Sequence, residues 1–375
     1  MQFKCKNVKI TGIKTVIPKD YIDIDDEIQY FNDNPKKLAR AKKMMGYGRR
    51  YIADKNTTVV DMAVYAAEKL ISEMKINKDE IDLLIFVNQK PDYPEPCDAC
   101  VAHGLLDLSE NCTTLDINLG CSGYIHALMT AHAYLSTGIY KKCLLLAGDL
   151  CGGSIKQTDR KKAPVFGDAV SASILEYTDE ENEAFFVTGT NGKGWNKIVY
   201  PFGGTRLPFN KENIEEFVTS ENGTWYFNQS ILKGEDVFNF TIDVAPKLIK
   251  DTMTFANLTP DDVDMFAIHQ ANKQIVQNIV SLADIPVEKA PTETFSKYAN
   301  NSTNSVVTVL CDQGHNASLK KVVLCAFGIG LSWGAAAINI DGMYNGGVST
   351  YFPPQDKLTK EEQISYWIKY YKGEE

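Results

Sequence analysis

Three residues of this chain have types and settings suited to covalent chemistry: a cysteine between small residues, a histidine closing an apolar run, and an asparagine in a polar turn. The cysteine is Cys121, in the stretch Leu115-Asp116-Ile117-Asn118-Leu119-Gly120-Cys121-Ser122-Gly123. An apolar run there meets a Gly-Cys-Ser-Gly turn. Apolar residues then continue through Tyr124, Ile125, Ala127, Leu128, Met129, Ala131, Ala133 and Leu135 to a glycine stop at Gly138. A helix apolar nearly all round is a buried helix, and Cys121 is expected in its first turn. Unpaired N–H groups and the positive end of the helix dipole are expected to lower the thiol pKa from about 8.5 toward neutrality. The competing reading is that Cys121 is a small core residue, as free cysteines often are.

The partners lie far along the chain. Met265-Phe266-Ala267-Ile268-His269-Gln270-Ala271-Asn272 reads as a buried strand ending in His269, and Tyr298-Ala299-Asn300-Asn301-Ser302 reads as a turn. A cysteine with a distant histidine and asparagine is a pattern for nucleophilic catalysis. Asn301 competes with Asn300 for the amide role. His126 and His132 fall on the central helix and read as packing residues, while His103 and His315 lack an apolar strand end to present them.

Composition bounds the partners. A chain of 375 residues can bury a large core. Its net charge of −9 argues against nucleic acid. No apolar run approaches the ~18 residues a membrane span needs, so a soluble cytoplasmic protein without an export signal is expected. Nine cysteines without regular spacing suit a reducing compartment, and Cys97-Asp98-Ala99-Cys100 has no second pair to complete a metal site. Lys36, Lys37, Arg40, Lys42, Lys43, Arg49 and Arg50 form a basic cluster, read either as a solvated helix face or as a landing site for a phosphorylated ligand or acidic partner.

The elements that must hold these residues alternate. Lys9 to Ile17 reads as a strand, Ile24 to Met45 as an acidic then basic helical segment, and Thr58 with Asp61 as a capping box. Asp82 before Leu83-Leu84-Ile85-Phe86-Val87 has the same grammar as Asp264 before Met265-Phe266-Ala267-Ile268. The run after Lys141-Lys142 likewise matches the run after Lys320-Lys321. The offsets agree, 264 − 82 = 182 and 320 − 141 = 179, which implies an internal duplication. We therefore expect an α/β protein of two related halves, 1–178 and 179–341, with closing strands over Val170–Leu175 and Leu331–Ile340. Residues 342–375 then form a helical extension.

Over residues 5 to 340 the chain resembles the β-ketoacyl-acyl carrier protein synthase III family, condensing enzymes of the thiolase superfamily. The resemblance is carried by Asp116 to Ala127, Phe166-Gly167-Asp168, His269-Gln270-Ala271-Asn272, Tyr298-Ala299-Asn300 and Phe327-Gly328-Ile329-Gly330-Leu331-Ser332-Trp333-Gly334. Arg49-Arg50-Tyr51-Ile52-Ala53 and Gly203-Gly204-Thr205-Arg206 add to it. It implies a thiolase-like five-layered αβαβα fold and a homodimer. It implies Cys121 as nucleophile with His269 and Asn300, and an oxyanion hole from the backbone of Cys121 and Ile329. Coenzyme A contacts are implied for Arg160, Arg40, Phe238 and Asn272. The implied reaction loads an acyl group from acyl-coenzyme A and condenses it with malonyl-acyl carrier protein, with coenzyme A as part of the substrate and no separate cofactor or metal.

The chain departs from the family pattern in places that bear on substrate. Ile329 replaces the middle glycine of the late glycine loop, and Asn301, Thr303 and Asn304 replace smaller residues. Gln274 and Asn239 stand where basic residues often meet the carrier protein, and no adenine-stacking aromatic is evident between Arg40 and Met45. These departures suggest a specialised homologue, serving a secondary or surface-polysaccharide pathway. Three further readings stay open: a same-fold acyltransferase delivering to a hydroxyl or amine, a hydroxymethylglutaryl-type synthase, and a non-catalytic interaction protein. The second needs a glutamate base near Gln89 and Lys90, where Glu95 is the nearest.

Overall fold

The structure, a computed structural model, describes all residues except 156–158, 160, 161, 221, 222, 316, 317, 356 and 375. Two sheets carry the body. The strands, in chain order, are β1 (Gln2–Lys6), β2 (Val8–Ile17), β3 (Leu83–Asn88), β4 (Thr113–Asn118), β5 (Lys142–Asp149), β6 (Ala169–Tyr177), β7 (Glu183–Thr190), β8 (Met265–Ile268), β9 (Lys321–Gly328), β10 (Ser332–Asn339) and β11 (Tyr344–Thr350). The first sheet has the order β11-β2-β6-β5-β3-β4 and the second β1-β7-β10-β9-β8.

The central strands are apolar on both faces because both faces are covered. In β3, Leu83, Ile85 and Val87 join the core between the sheets, while Leu84 and Phe86 join the core on the outer side. In β9, Val322, Leu324 and Ala326 face inward, and Val323, Cys325 and Phe327 face outward. The longer helices are α1 (Pro35–Met45), α2 (Val59–Met74), α3 (Asp98–Leu105), α4 (Gly123–Leu135), α5 (Gly234–Phe255), α6 (Lys273–Ala283), α7 (Ser305–Gly314) and α8 (Lys360–Lys372). Both α4 and α7 touch strands of both sheets, α2 and α3 cover the outer face of the first sheet, and α5 covers that of the second with α6 against it. The layers therefore run α, β, α, β, α.

The inferred duplication is visible in the sheets. Pairing runs parallel, antiparallel, antiparallel through β3-β5-β6-β2 and again through β8-β9-β10-β7. Asp82 accepts the backbone N–H groups of Lys141 and Lys142 at 2.7 and 3.0 Å. Asp264 accepts those of Lys320 and Lys321 at 2.8 and 2.9 Å. The repeated Asp and Lys-Lys spellings are one device used twice, a carboxylate that fixes where the neighbouring parallel strand begins.

Other expectations change. The segment from Ile24 to Met45 is not one helix: Asn32 and Asp33 have left-handed backbones, and α1 starts afresh at Pro35 behind the Asn34 cap. A short hairpin-like pair, Tyr21–Asp23 with Arg49–Tyr51, brackets it. Past residue 342 the chain is not only helical. β11 pairs parallel to β2, with an irregularity between Asn345 and Val348 where the glycines lie, so the alternation that marks a strand is broken. β1 joins the second sheet, so the chain's two ends each add a strand to a sheet built mainly from the other part of the sequence. In α8 the Trp367 ring meets Tyr93 edge-on at 5.9 Å, and Lys357 pairs with Asp61 at 2.8 Å just before the helix. The Thr58–Asp61 capping box forms as expected.

If the two aspartates are equivalent devices, Asp82→Ala and Asp264→Ala each lose about 1 to 2 kcal/mol, as charged hydrogen bonds to partly exposed backbone do. Urea denaturation measures both, and a loss at only one position contradicts the equivalence.

Candidate active site

Strands β4, β3 and β5 are mutually parallel, so their carboxyl ends lie together at one edge of the first sheet, and β8 with β9 does the same in the second. Loops beyond the carboxyl ends of parallel strands are where α/β sheets gather their reactive groups. Leu119-Gly120-Cys121 follows β4, Gln89-Lys90 follows β3, and Leu150-Cys151 follows β5. His269 follows β8, and Ile329 follows β9. The two edges meet at the cysteine. A Cβ on Gly328 would lie 2.8 Å from Cys121 Sγ, so only glycine lets the sulfur approach β9 this closely. A Cβ on Gly120 would lie 2.3 Å from Gln89 Oε1 and 2.5 Å from Ile329 Cγ2, which places both side chains beside the residue preceding Cys121.

The asparagine arrives on a loop wedged between the halves. Asn300 pairs through its backbone with Val165 and Gly167, at 2.9 and 3.1 Å. Its Oδ1 accepts the Ser302 N–H at 2.9 Å, which leaves the Nδ2 donor as the group available to a ligand. Asn301, the competing amide, donates its Nδ2 to the Tyr298 carbonyl at 2.9 Å and is committed to the turn. Ser302, with a left-handed backbone, holds its Oγ 4.0 Å from Cys121 Sγ and so brings the Asn300 loop to the sulfur. His269 is buried, its backbone N–H bonds the Cys325 carbonyl at 2.8 Å, and its ring lies edge-on to Phe327 with centroids 5.5 Å apart. Its Nδ1 is buried without a hydrogen-bond partner among the described residues.

One expectation about Cys121 is overturned. Helix α4 begins at Gly123 with Ser122 as its cap, so Cys121 stands one residue before the cap and outside the first turn. Burial, and after it the nearby Asp149 carboxylate, pushes the thiol up to about 11. The Ser302 hydroxyl and the backbone N–H groups of Ile329 and of Cys121 itself pull the other way and lose. The sulfur is enclosed by protein, while Cys121 as a residue is only half-buried. Burial also pulls His269 down to about 4, so its imidazole is neutral at pH 7.

Asp149 is the residue that sequence reasoning missed. It closes β5 and is almost fully buried. Its Oδ1 accepts the Gln89 N–H at 2.9 Å, and its Oδ2 accepts Thr303 Oγ1 at 2.6 Å. It therefore ties the end of β3 to the loop carrying Asn300. The signal was available: an acidic residue ending the run Leu144-Leu145-Leu146-Ala147-Gly148 cannot be buried without partners. Asp168 plays a related part, accepting the Ala53 and Gly152 N–H groups at 2.9 and 2.6 Å. Burial raises it to about 6.

The expected substrate contacts fare unevenly. Arg160 lies outside the described residues. Arg40 is exposed on α1 and directs its Nε toward Met44 Sδ at 3.4 Å. Asn272 spends its carboxamide oxygen capping α6, accepting the Ile275 N–H at 2.9 Å. Phe238 is half-buried near the start of α5. Three of the seven residues of the basic cluster are in ion pairs: Lys42 with Asp25, Arg49 with Asp23, and buried Arg50 with Glu27. A cavity of about 510 Å³ opens beside it, between Lys42, Arg49 and Tyr51 and the Ser296–Tyr298 segment. His126 and His132 bond the Trp333 and Leu128 carbonyls at 3.2 and 2.8 Å, as packing residues do. Among the described residues no group of His, Cys, Asp and Glu is arranged to hold a metal, and no helix is long and apolar enough to cross a membrane.

A duplicated α/β body with a cysteine, a histidine and an asparagine at its seam defines a thiolase-like condensing enzyme. Residues 115–193 match the family model of 3-oxoacyl-[acyl-carrier-protein] synthase III, and residues 253–340 match the model of its C-terminal part. A Campylobacter jejuni protein provisionally named 3-oxoacyl-[acyl-carrier-protein] synthase 3 is 36% identical over 359 residues, covering 94% of this chain and 99% of that protein. A Clostridium perfringens β-ketoacyl-[acyl-carrier-protein] synthase III is 30% identical, over 89% of this chain and all of its own length. The crystal structure of a Burkholderia xenovorans 3-oxoacyl-(acyl-carrier protein) synthase superposes with a TM-score of 0.84 at 31% identity, over 94% of this chain and 99% of that one. The chain belongs to the β-ketoacyl-acyl carrier protein synthase III family and is a transferase of that condensing type.

A thiol raised to about 11 is protonated at pH 7, so iodoacetamide should modify the Cys121 peptide ever faster as pH rises from 7 to 10, about tenfold per unit. Burial still raises the thiol in Asp149→Asn, but the added push from the carboxylate is gone, and the profile moves to lower pH. Peptide mass spectrometry reads both, and a rate already level at pH 7 contradicts the assignment.

Proposed function

We propose that Cys121 takes an acyl group from an acyl-coenzyme A thioester and passes it to the carbanion formed by decarboxylation of malonyl-acyl carrier protein. The observation that carries this is the contact of Cys121 Sγ with both Gly328 and Ser302, which sets one sulfur between the strand-end loop of Ile329 and the loop of Asn300. The family and the names of its relatives support condensation over delivery of the acyl group to a hydroxyl or amine.

In the first half-reaction the thiol proton leaves for a neutral base, for which the buried, uncharged His269 is the candidate, and sulfur attacks the thioester carbonyl. The Cys121 and Ile329 N–H groups, already directed at the sulfur, are the donors for the oxyanion. Collapse releases the coenzyme A thiolate, which takes the proton back. In the second half-reaction, loss of CO₂ leaves an enolate whose oxygen receives hydrogen bonds from His269 and Asn300 Nδ2. Its carbon attacks the acyl-cysteine, and the Cys121 thiolate departs and takes up one proton from solvent. Ile329 replaces glycine without loss of its N–H, so the donor survives while space beside the sulfur is reduced.

The same reading includes a cytoplasmic homodimer that uses no separate cofactor. All nine cysteines are unpaired, which suits a reducing compartment. Strand β4, which leads to Cys121, is an edge strand of the first sheet, and pairing with a second copy is one way to cover such an edge.

Radiolabelled acyl-coenzyme A should label wild type and not Cys121→Ala, and malonyl-acyl carrier protein should discharge the label with release of CO₂. His269→Ala and Asn300→Ala should keep at least part of the loading and lose about a hundredfold or more in CO₂ release. Discharge without CO₂, or in the absence of any malonyl unit, refutes the condensing step.

A further inference from the structure

The first sheet carries a pair of reactive groups that the condensing chemistry does not use. Cys97 and Cys100 are the two exposed cysteines of the nine. They stand in the first turn of α3, the helix that connects the parallel strands β3 and β4. Cys97 occupies the cap position and Cys100 is the third residue of the helix. Side chains at those two positions lie close together, which is why they can serve each other in a capping box. Here both are thiols. The Cys97 S–H donates to Cys100 Sγ with the sulfurs 3.3 Å apart, and Thr114 Oγ1 lies 3.3 Å from Cys100 Sγ. Two cysteines at this spacing in a βαβ unit are suited to redox exchange.

The turn that carries the pair is held independently of the sulfurs. The N–H groups of Asp98 and Ala99, the residues between the cysteines, each donate to the Asp116 carboxylate at 2.8 Å. The Asp98 carboxylate accepts from Asn88 Nδ2 at 2.6 Å and from the Asp92 N–H at 3.0 Å, and the Cys100 N–H bonds the Cys97 carbonyl at 3.1 Å. With the backbone fixed, joining the sulfurs at the ~2.05 Å of a disulfide is a change of side-chain torsion and not of chain path. Thr114 and Asp116 share the face of β4 that meets α3, so the pair lies over that face and not along the strand's open edge. The other seven cysteines are buried or half-buried, and the Cys121 sulfur is enclosed and rests protonated. A soluble oxidant therefore meets Cys97 and Cys100 first.

We propose that Cys97 and Cys100 are a modification site that closes reversibly to an intramolecular disulfide by exchange with low-molecular-weight disulfides of the glutathione type. Cys100 attacks first, because its thiolate would accept the Cys97 S–H. Its sulfur bonds to one sulfur of the small disulfide, whose S–S bond breaks, and the other half leaves as a thiolate that takes up the proton Cys100 gave up. Cys97 then loses its proton and attacks Cys100 Sγ, and the second half leaves as a thiol. Two protein thiols are oxidised by two electrons while one small disulfide is reduced to two thiols, and excess thiol runs the sequence backward.

The full chain is equilibrated with oxidised and reduced glutathione at set ratios, trapped with N-ethylmaleimide and read by peptide mass spectrometry. Rising oxidised glutathione should convert the Cys97–Cys100 peptide to a form lighter by two hydrogens and closed to N-ethylmaleimide, and dithiothreitol should restore both thiols. Cys121 should stay reduced throughout. Cys97→Ser and Cys100→Ser each leave a sulfur with no neighbour to displace the adduct, so protein-bound glutathione at this turn should rise about tenfold over wild type. A wild-type pair that stays reduced at every ratio, or that carries glutathione without closing, overturns the inference. So does a link between two chains through these cysteines on a non-reducing gel, or oxidation of Cys121 ahead of the pair. Should the serine variants not fold, the wild-type titration decides alone.

Discussion

A buried carboxylate holds the site together. Asp149 has nearly no contact with solvent, and an ionised carboxyl in that position is stable only while its oxygens are occupied. They are occupied by groups from two distant segments, the Gln89 backbone and the Thr303 hydroxyl. Breaking either bond exposes the full desolvation cost of the other partners, so the end of β3 and the asparagine loop are fixed to β5 together or not at all. Burial raises the Asp149 pKa, and its hydrogen bonds pull it back down. The same charge lies close enough to Cys121 to oppose ionisation of the thiol.

That opposition explains how the site can be at once reactive and quiet. Resting as a protonated thiol, Cys121 is poorly disposed to oxidation or chance alkylation, since the thiolate is the reactive species. The donors that would stabilise a developing oxyanion are already in place around the sulfur, from the Ile329 and Cys121 backbones. They do little for a neutral thiol and much for the negative charge that appears on attack, which is how preorganised dipoles favour a transition state over a ground state. The neutral His269 fits this arrangement, because an imidazolium there would add charge to a region from which water is excluded.

Much of this was written in the chain in a form that periodicity and spelling can read. The strand over Val8–Ile17, the capping box at Thr58, the buried α4 and the repeat marked by Asp82 and Asp264 all announce themselves locally, because each depends on neighbours in sequence. Cys121 and His269 were legible as residue types at the ends of apolar runs, and Asn300 as an amide in a polar turn. What escaped was whatever depends on long-range contact. The thiol's acidity was misjudged because a helix end is a local feature whereas enclosure by Gly328 and Asp149 is not. β11 was missed because Asn345-Gly346-Gly347 interrupts its pattern and only pairing with β2 makes it a strand. Asn272 carries the family's spelling, yet its oxygen caps α6, a use no motif distinguishes from substrate contact.

The duplication itself accounts for the division of labour. Strands β5 and β9 are equivalent, and with the offset of their starting lysines the end of one maps on the end of the other, 328 − 179 = 149. Asp149 and Gly328 thus occupy the same place in the two halves. In the first half that place holds the carboxylate that binds the loops to one another. In the second it holds a residue without a side chain, and the space left there is where the Cys121 sulfur sits. The same residue at both positions would give either two anchors and no room for the Cys121 sulfur, or room without an anchor. The two halves can form one site only because they have diverged at this point, one keeping a charge and the other giving up its Cβ.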